Sequence, residues 1–187
     1  MGKDYKSLIL GLGLIAAGSL GACNSISVTK DDISIIPAPF NMVVENDFFE
    51  LPEQCTIGIS DNSLIPAADY LAGILGRSTG CQLVVKEGKG DITLSLSGST
   101  DGDGYSLVST SDEVTISGNS YAGVIYGIAT LRQLLPHQIE SKKVVEGIDW
   151  TIPAVNIKDT PRFQWRGLML DVSRHFFSVE EVKAYID

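Results

Sequence analysis

The alternation of apolar and polar positions predicts a domain rich in short β-strands. Residues 92–96 give the clearest case, because isoleucine and leucine alternate with threonine and serine. A period of two places one set of side chains in a core and the other set in solvent. Similar runs predict strands at 41–44, 48–51, 56–60, 82–86, 92–96, 105–109 and 113–117, with last extended stretches at 144–145 and 150–155.

The period changes to that of a helix in two places. In residues 63–75 the apolar side chains recur every three or four positions, as on one face of an amphipathic helix. Asp61, Asn62 or Ser63 is expected to cap this helix, and Gly76 is expected to end it.

The second helix is predicted at residues 121–135, and Pro136 ends it. Gly123 and Gly127 repeat one turn apart, which predicts that a strand or another helix approaches this helix closely. Many strands with two helices indicate an α+β fold, in which the helices cover one face of a mixed β-sheet.

The N-terminus carries the features of a secretion signal. Lys3 and Lys6 precede an apolar run at residues 7–20, which is shorter than the about 20 residues of a membrane-spanning helix. The run closes with Leu20-Gly21-Ala22-Cys23, which resembles a bacterial lipobox whose cysteine receives lipid. An ordinary signal peptide with a chance cysteine, or a membrane anchor, remains an alternative.

The lipobox interpretation predicts an exported protein that lipid on Cys23 anchors to the bacterial cell envelope, on the periplasmic or surface side of the outer membrane. The chain is accordingly divided into four segments. They are a signal peptide at 1–22, a tether at 23–34, the α+β domain at 35–158 and a new unit at 159–187.

Composition narrows the partners that the chain is expected to bind. Its 187 residues contain 14 Lys and Arg against 23 Asp and Glu, which gives a net charge of −9. Nucleic-acid binding depends on Lys and Arg that neutralise phosphates, so this acidic chain is a poor candidate for it. The same charge disfavours electrostatic docking on anionic lipid, which leaves the predicted lipid anchor as the contact with a membrane. The sequence leaves the oligomeric state open.

Two further cysteines, Cys55 and Cys81, would be free to form a disulfide in an oxidising compartment. Two buried thiols are the favoured interpretation. The cysteine spacing fits no metal site, and the chain has only two histidines, so neither a zinc centre nor another cofactor is expected. The run Asp101-Gly102-Asp103-Gly104 is assigned to a turn, because it lacks the spaced acidic ligands of a calcium loop.

The most distinctive stretch is at residues 161–177, which read PRFQWRGLMLDVSRHFF. This stretch resembles the first barrel strand of the family 20 β-N-acetylhexosaminidases. Upstream similarity to the N-terminal α+β domain of that family occurs at residues 36–39, 104–107, 126–135 and 152–159.

The same stretch fits a β/α unit on physical grounds. The apolar run Leu168-Met169-Leu170 is typical of an interior strand in a parallel barrel. The polar residues Asp171, Ser173, Arg174 and His175 follow, at the end where a (β/α)8 barrel carries its active site. Ser178 and Glu181 form a capping box that begins a helix. Together these features predict the first β/α unit of a TIM barrel, truncated at Asp187.

The resemblance implies hydrolysis of terminal β-linked N-acetylglucosamine or N-acetylgalactosamine from glycans, with retention and with assistance from the substrate's own acetamido group. The Asp-Glu pair of the family has no match in residues 161–187, so no catalytic residue is assigned here and the chain alone is expected to be inactive. Adjacent Glu180 and Glu181 are attributed to helix capping instead. By the same resemblance, Arg166 matches the arginine of that family that donates hydrogen bonds to hydroxyls of the terminal sugar. A structural arginine paired with an acid is the alternative.

Other polar and aromatic residues are assigned structural roles. Asp171 and Arg174 are expected to form a buried polar pair. His175 is expected to be held by a hydrogen bond, with a role as a proton relay as the alternative. Trp150 and Trp165 are expected to pack in the core or at a domain interface. Two alternatives to a hexosaminidase are a non-catalytic surface lipoprotein that binds carbohydrate or serves as a scaffold, and another glycosidase with a similar front domain.

Overall fold

The computed structural model describes residues 29–99 and 102–186. Its strands are β1 (Asn41–Glu50), β2 (Gln54–Ile59), β3 (Gln82–Glu87), β4 (Ile92–Leu96), β5 (Tyr105–Ser109), β6 (Val114–Gly118) and β7 (Thr151–Asp159), and its α-helices are α1 (Ile65–Thr79), α2 (Tyr121–Leu134) and α3 (Val179–Ile186). The predicted signal segment, the lipid-bearing Cys23 and Asp101 of the predicted turn lie outside the described residues. Within the described part, no helix has the length and apolar character needed to cross a membrane.

The strands form one mixed sheet in the order β1-β7-β5-β6-β4-β2-β3. The pairs from β1 to β6 along this order are antiparallel, and the pairs from β6 to β3 are parallel. Helices α1 and α2 contact each other and pack into one core with the sheet. The predicted α+β class with a mixed sheet is therefore confirmed.

The period of two in the sequence explains which side of the sheet is buried. Ile92, Leu94, Leu107 and Ile116 are fully buried under the helices. Their neighbours along the strands, mostly Ser and Thr, are half-buried on the opposite side, which we call the open face. Removing apolar area from water on one side only is sufficient to fix the register of each strand.

The two strands predicted at 41–44 and 48–51 form a single strand, β1. Strand β7 pairs along both halves, and the register shifts between Val44 and Phe48. Pro153 lies opposite Phe48, and β5 joins the other side of β7 only from Val155 onward. Proline is therefore tolerated here because its missing N–H falls where one side of the strand has no partner.

Helix α1 begins as predicted but ends later. The Asp61 carboxylate accepts a hydrogen bond of 2.7 Å from the Ser63 amide in the short turn that leads into the helix. The predicted end at Gly76 is wrong, because the helix continues to Thr79. It ends at Gly80, whose φ of 73° is the left-handed conformation that a C-cap requires.

The two glycines of α2 mark close contacts, as predicted. A Cβ on Gly127 would lie 2.4 Å from Cγ2 of Ile116 in β6, and a Cβ on Gly123 would lie 2.5 Å from the carbonyl oxygen of Gly104. Ser120 caps the helix by accepting a hydrogen bond from the Gly123 amide at 3.1 Å. The approaching element is therefore the sheet.

The two cysteines are free. Cys55 is buried near the start of β2, and burial raises the pKa of its thiol to about 12. Cys81 precedes β3 and is only half-buried, so the prediction of a buried thiol is correct for Cys55 and wrong for Cys81. Cys81 follows Gly80, the left-handed C-cap residue that ends α1.

A side-chain hydrogen-bond cluster joins β2 to the start of β4. The amide and the hydroxyl of Thr56 both donate to the same Asp91 carboxylate oxygen at 2.7 Å, and the Asp91 amide donates to the Thr56 hydroxyl at 3.0 Å. The hydrogen bond from the Thr56 amide is the largest cause of a lowered pKa for Asp91. The ionised carboxylate is therefore the form that the fold stabilises.

We expect Asp91→Asn to lower the Tm by a few degrees at pH 7 and to have little effect in acid. A lowered folded-state pKa contributes stability above the unfolded-state value of about 3.9, and this contribution is lost as the pH falls through the folded-state value. Thermal unfolding of both proteins between pH 7 and pH 2.5 measures this. A Tm difference that stays constant over that range would contradict the assignment.

Candidate functional site

The segment between β7 and α3 contains neither helix nor strand. The predicted barrel strand Leu168-Met169-Leu170 is accordingly not formed in this structure, in which Leu168 is 84% and Met169 is 88% exposed. A barrel strand is held by hydrogen bonds to two neighbouring strands, and none of the described strands lies beside this segment. The helix after it does form, because the Ser178 amide donates to the Glu181 carboxylate at 2.7 Å and the Glu181 amide donates back to the Ser178 hydroxyl at 3.3 Å.

Arg166 belongs to this segment and lies on the surface, where its side chain contacts the α+β domain. Its guanidinium carbon is 4.9 Å from the centre of the Tyr126 ring, which is within the range of a cation–π interaction. Among the described residues it forms no ion pair with an acid. Its N–H groups are therefore available to a ligand with hydroxyl oxygens.

A cavity of about 310 Å³ adjoins Arg166, and we call it the Arg166 cavity. Its wall consists largely of apolar side chains from two stretches that meet at the end of β7. The residues of the wall are Pro37, Ala38, Phe40, Asp159, Thr160, Pro161, Arg162, Phe163 and Arg166. The contact with Tyr126 was not predicted, because residues 40 positions apart share no local pattern.

Asp171 and Arg174 form the predicted pair, but on the surface. The Arg174 Nε donates to the Asp171 carboxylate at 2.6 Å, while the Arg174 side chain is 86% exposed. Hydrogen bonds from the backbone and hydroxyl of Ser173, followed by those of Arg174, lower the pKa of Asp171. The expected burial is therefore wrong for Arg174, and the Asp171 side chain keeps 34% of its surface exposed. His175 is likewise exposed.

The two tryptophans differ in environment. Trp150 is half-buried and packs against the core, as predicted. Trp165 is 91% exposed, so the expected packing is wrong for it in this structure. Within residues 29–99 and 102–186, no group of three or more His, Cys, Asp or Glu side chains is placed to hold a metal ion.

Comparison with known families assigns both parts of the chain. Residues 32–160 match the domain described as "Glycosyl hydrolase family 20, domain 2", and residues 163–187 match the domain described as "Glycosyl hydrolase family 20, catalytic domain". The chain therefore belongs to glycosyl hydrolase family 20.

Individual relatives and solved structures agree with this family. A β-hexosaminidase of Porphyromonas gingivalis is 37% identical over 97% of this chain and 25% of the relative, and a β-N-acetylhexosaminidase of Cellulomonas fimi is 33% identical over 83% and 32%. The structure of Streptomyces plicatus N-acetyl-β-hexosaminidase in complex with Thio-NAglucal is 40% identical, with a TM-score of 0.74 over 81% of this chain and 31% of that one. The chain thus spans about a quarter to a third of these relatives.

Proposed function

We propose that this chain forms the N-terminal part of an exo-acting β-N-acetylhexosaminidase, which removes terminal β-linked N-acetylglucosamine or N-acetylgalactosamine from glycans. The observation that carries the proposal is the order of two family matches in one chain, in which a match to domain 2 at residues 32–160 is followed directly by a match to the catalytic domain at residues 163–187. The relatives that match over most of the chain are hexosaminidases.

The chemistry follows from the substrate-assisted scheme that sets this family apart from glycosidases with two catalytic carboxylates. The acetamido oxygen of the sugar attacks the anomeric carbon and displaces the leaving group, which a glutamic acid protonates. A neighbouring aspartate orients the acetamido group and stabilises its developing positive charge. Water then opens the oxazolinium-like intermediate, so the β configuration is retained.

In this proposal residues 159–187 contribute the first β/α unit of a TIM barrel, which needs about 200 to 250 residues in all. Leu168–Leu170 would become a strand when neighbouring barrel strands supply its hydrogen-bond partners. The Asp-Glu pair belongs to a later part of such a barrel. The chain of residues 1–187 on its own is therefore proposed to be inactive.

Arg166 is proposed to bind hydroxyls of the terminal sugar. A guanidinium presents its N–H groups in a fixed fork that suits two neighbouring oxygens. The lack of an acidic partner for Arg166 among the described residues supports this role over a structural ion pair.

Release of a chromophore from an aryl β-N-acetylglucosaminide by the intact protein tests the function. We expect turnover by the intact protein, none by residues 1–187 alone, and little turnover of the matching β-glucoside, because glucose lacks the acetamido nucleophile. Equal turnover of both glycosides would exclude substrate assistance. Lack of turnover by the intact protein would favour a non-catalytic lipoprotein.

We also propose that the protein is exported and anchored in the cell envelope by lipid on Cys23. The Cys23→Ala variant is expected to incorporate no labelled palmitate and to leave the membrane fraction, since a lipid chain is what holds the mature N-terminus. Cys81→Ala is the matched control and should label like the wild type. Equal labelling of wild type and Cys23→Ala would contradict the lipobox interpretation.

A further inference from the structure

A second cavity, of about 250 Å³, opens where β7 ends, and the proposed catalytic scheme does not use it. It lies between Phe40, Ser106, Ser117, Asn119 and Lys158, and we call it the Phe40 depression. Phe40 also borders the Arg166 cavity, whereas Ser106, Ser117 and Lys158 do not.

The floor of the Phe40 depression is a row of polar side chains on the open face of the sheet. Lys158 of β7, Ser106 of β5 and Ser117 of β6 are paired in register across three adjacent strands. Adjacent strands are about 4.8 Å apart, so the row presents polar groups at a regular spacing. In the described part of the chain, the hydroxyls of Ser106 and Ser117 have no protein hydrogen-bond partner, and Lys158 has no ion pair.

The wall of the depression is an aromatic ring in solvent. Phe40 is 91% exposed, although its amide is fixed by a hydrogen bond of 3.0 Å to the Asp159 carboxylate. At the opposite rim, the Ser97 hydroxyl donates to the Asn119 side-chain oxygen at 2.8 Å and so holds that amide in place. The depression therefore combines one apolar wall with fixed polar groups, the combination that small-molecule sites use.

We propose that the Phe40 depression is an accessory glycan-binding site that holds one pyranose ring of a glycan chain. A pyranose has an apolar C–H face that would stack on Phe40, and equatorial hydroxyls that would meet the row on the floor. The cavity is large enough for one such ring. Asp159 and Lys158 both line it and their charges offset each other, which favours a neutral sugar over an anionic one.

Affinity electrophoresis of the intact protein in native gels that contain glycol chitin, a soluble polymer of N-acetylglucosamine, tests this site. We expect the wild type to be retarded, and Phe40→Ala and Ser117→Ala to bind about five-fold more weakly, as for loss of one stacking or hydrogen-bonding contact. Ser95→Ala is the matched control, because Ser95 pairs with Ser117 in the same row but lies outside the depression. It should migrate like the wild type.

Two further measurements separate this site from the proposed active site. Ser117→Ala should leave the hydrolysis rate of a small chromogenic glycoside unchanged, because Ser117 lies outside the Arg166 cavity, and Arg166→Ala should remain retarded. Retardation that depends on Phe40 in a protein without hydrolytic activity would support the accessory site and reject the proposed enzyme.

Lack of retardation of the wild type, or wild-type migration of both Phe40→Ala and Ser117→Ala, would overturn the proposal. Equal loss with Ser95→Ala would also overturn it. If Phe40→Ala lowers the Tm, its weaker binding could come from partial unfolding, and the retardation of Ser117→Ala then decides whether the site exists.

Discussion

Arg166→Ala is expected to lower kcat/KM of the intact protein for an aryl β-N-acetylglucosaminide about a hundredfold. In the proposed complex the guanidinium donates charge-assisted hydrogen bonds to sugar hydroxyls, and loss of such bonds costs about 3 kcal/mol. Each 1.4 kcal/mol corresponds to about a factor of ten. Steady-state kinetics with purified wild type and variant measures the change.

The neighbouring Arg162 provides the matched control. Its guanidinium carbon lies 6.0 Å from the Phe163 ring, and it lines the same cavity. Arg162→Ala should change kcat/KM less than threefold, while Arg166→Lys should fall between wild type and Arg166→Ala because an ammonium lacks the fork geometry. Equal losses of kcat/KM for Arg162→Ala and Arg166→Ala would contradict this role, because they would show that any positive charge near the cavity has the same effect.

Gly127→Ala is expected to lower the free energy of unfolding by about 2 kcal/mol, as typical of overpacking a core. The added methyl would lie 2.4 Å from Cγ2 of Ile116 and 3.3 Å from Cδ2 of Tyr105. Both neighbours are buried, and the branched side chain of isoleucine has little rotamer freedom to move aside. Urea unfolding followed by circular dichroism measures the change.

Gly73 is the matched control, because it lies inside α1 with no atom within 4 Å of an added Cβ. Gly73→Ala should raise the free energy of unfolding by up to about 1 kcal/mol, from helix propensity alone. Opposite signs for the two substitutions are the expected result. Stabilisation by both would show that the contact between α2 and β6 relaxes easily.

The sequence predicts correctly those features that follow from the residue types within one short segment. Alternation in residues 92–96 located a strand and its buried side, and the spacing of Gly123 and Gly127 predicted the close approach of another element. The capping box at Ser178 and Glu181 located the start of α3. Each of these signals is local, so no tertiary context was needed to interpret it.

The remaining errors concern features that depend on distant residues. The sequence predicts that α1 ends at Gly76, but a glycine at either position 76 or position 80 suits a helix end, and the packing of the last turn decides between them. The segment at Leu168–Leu170 has the composition of a strand, but a strand also needs partners. The Phe40 depression was missed because its floor is assembled from β5, β6 and β7, whose order in the sheet cannot be inferred from alternation.

The position of β7 has a consequence for how the domain is synthesised. β7 lies between β1 and β5, and it pairs with β1 across more than a hundred positions of the sequence. Until the ribosome has released residues 151–159, β1 has no neighbour and the sheet cannot close over its core. Because such distant pairing is slow to form, the domain should remain loosely folded until residues 151–159 have been synthesised.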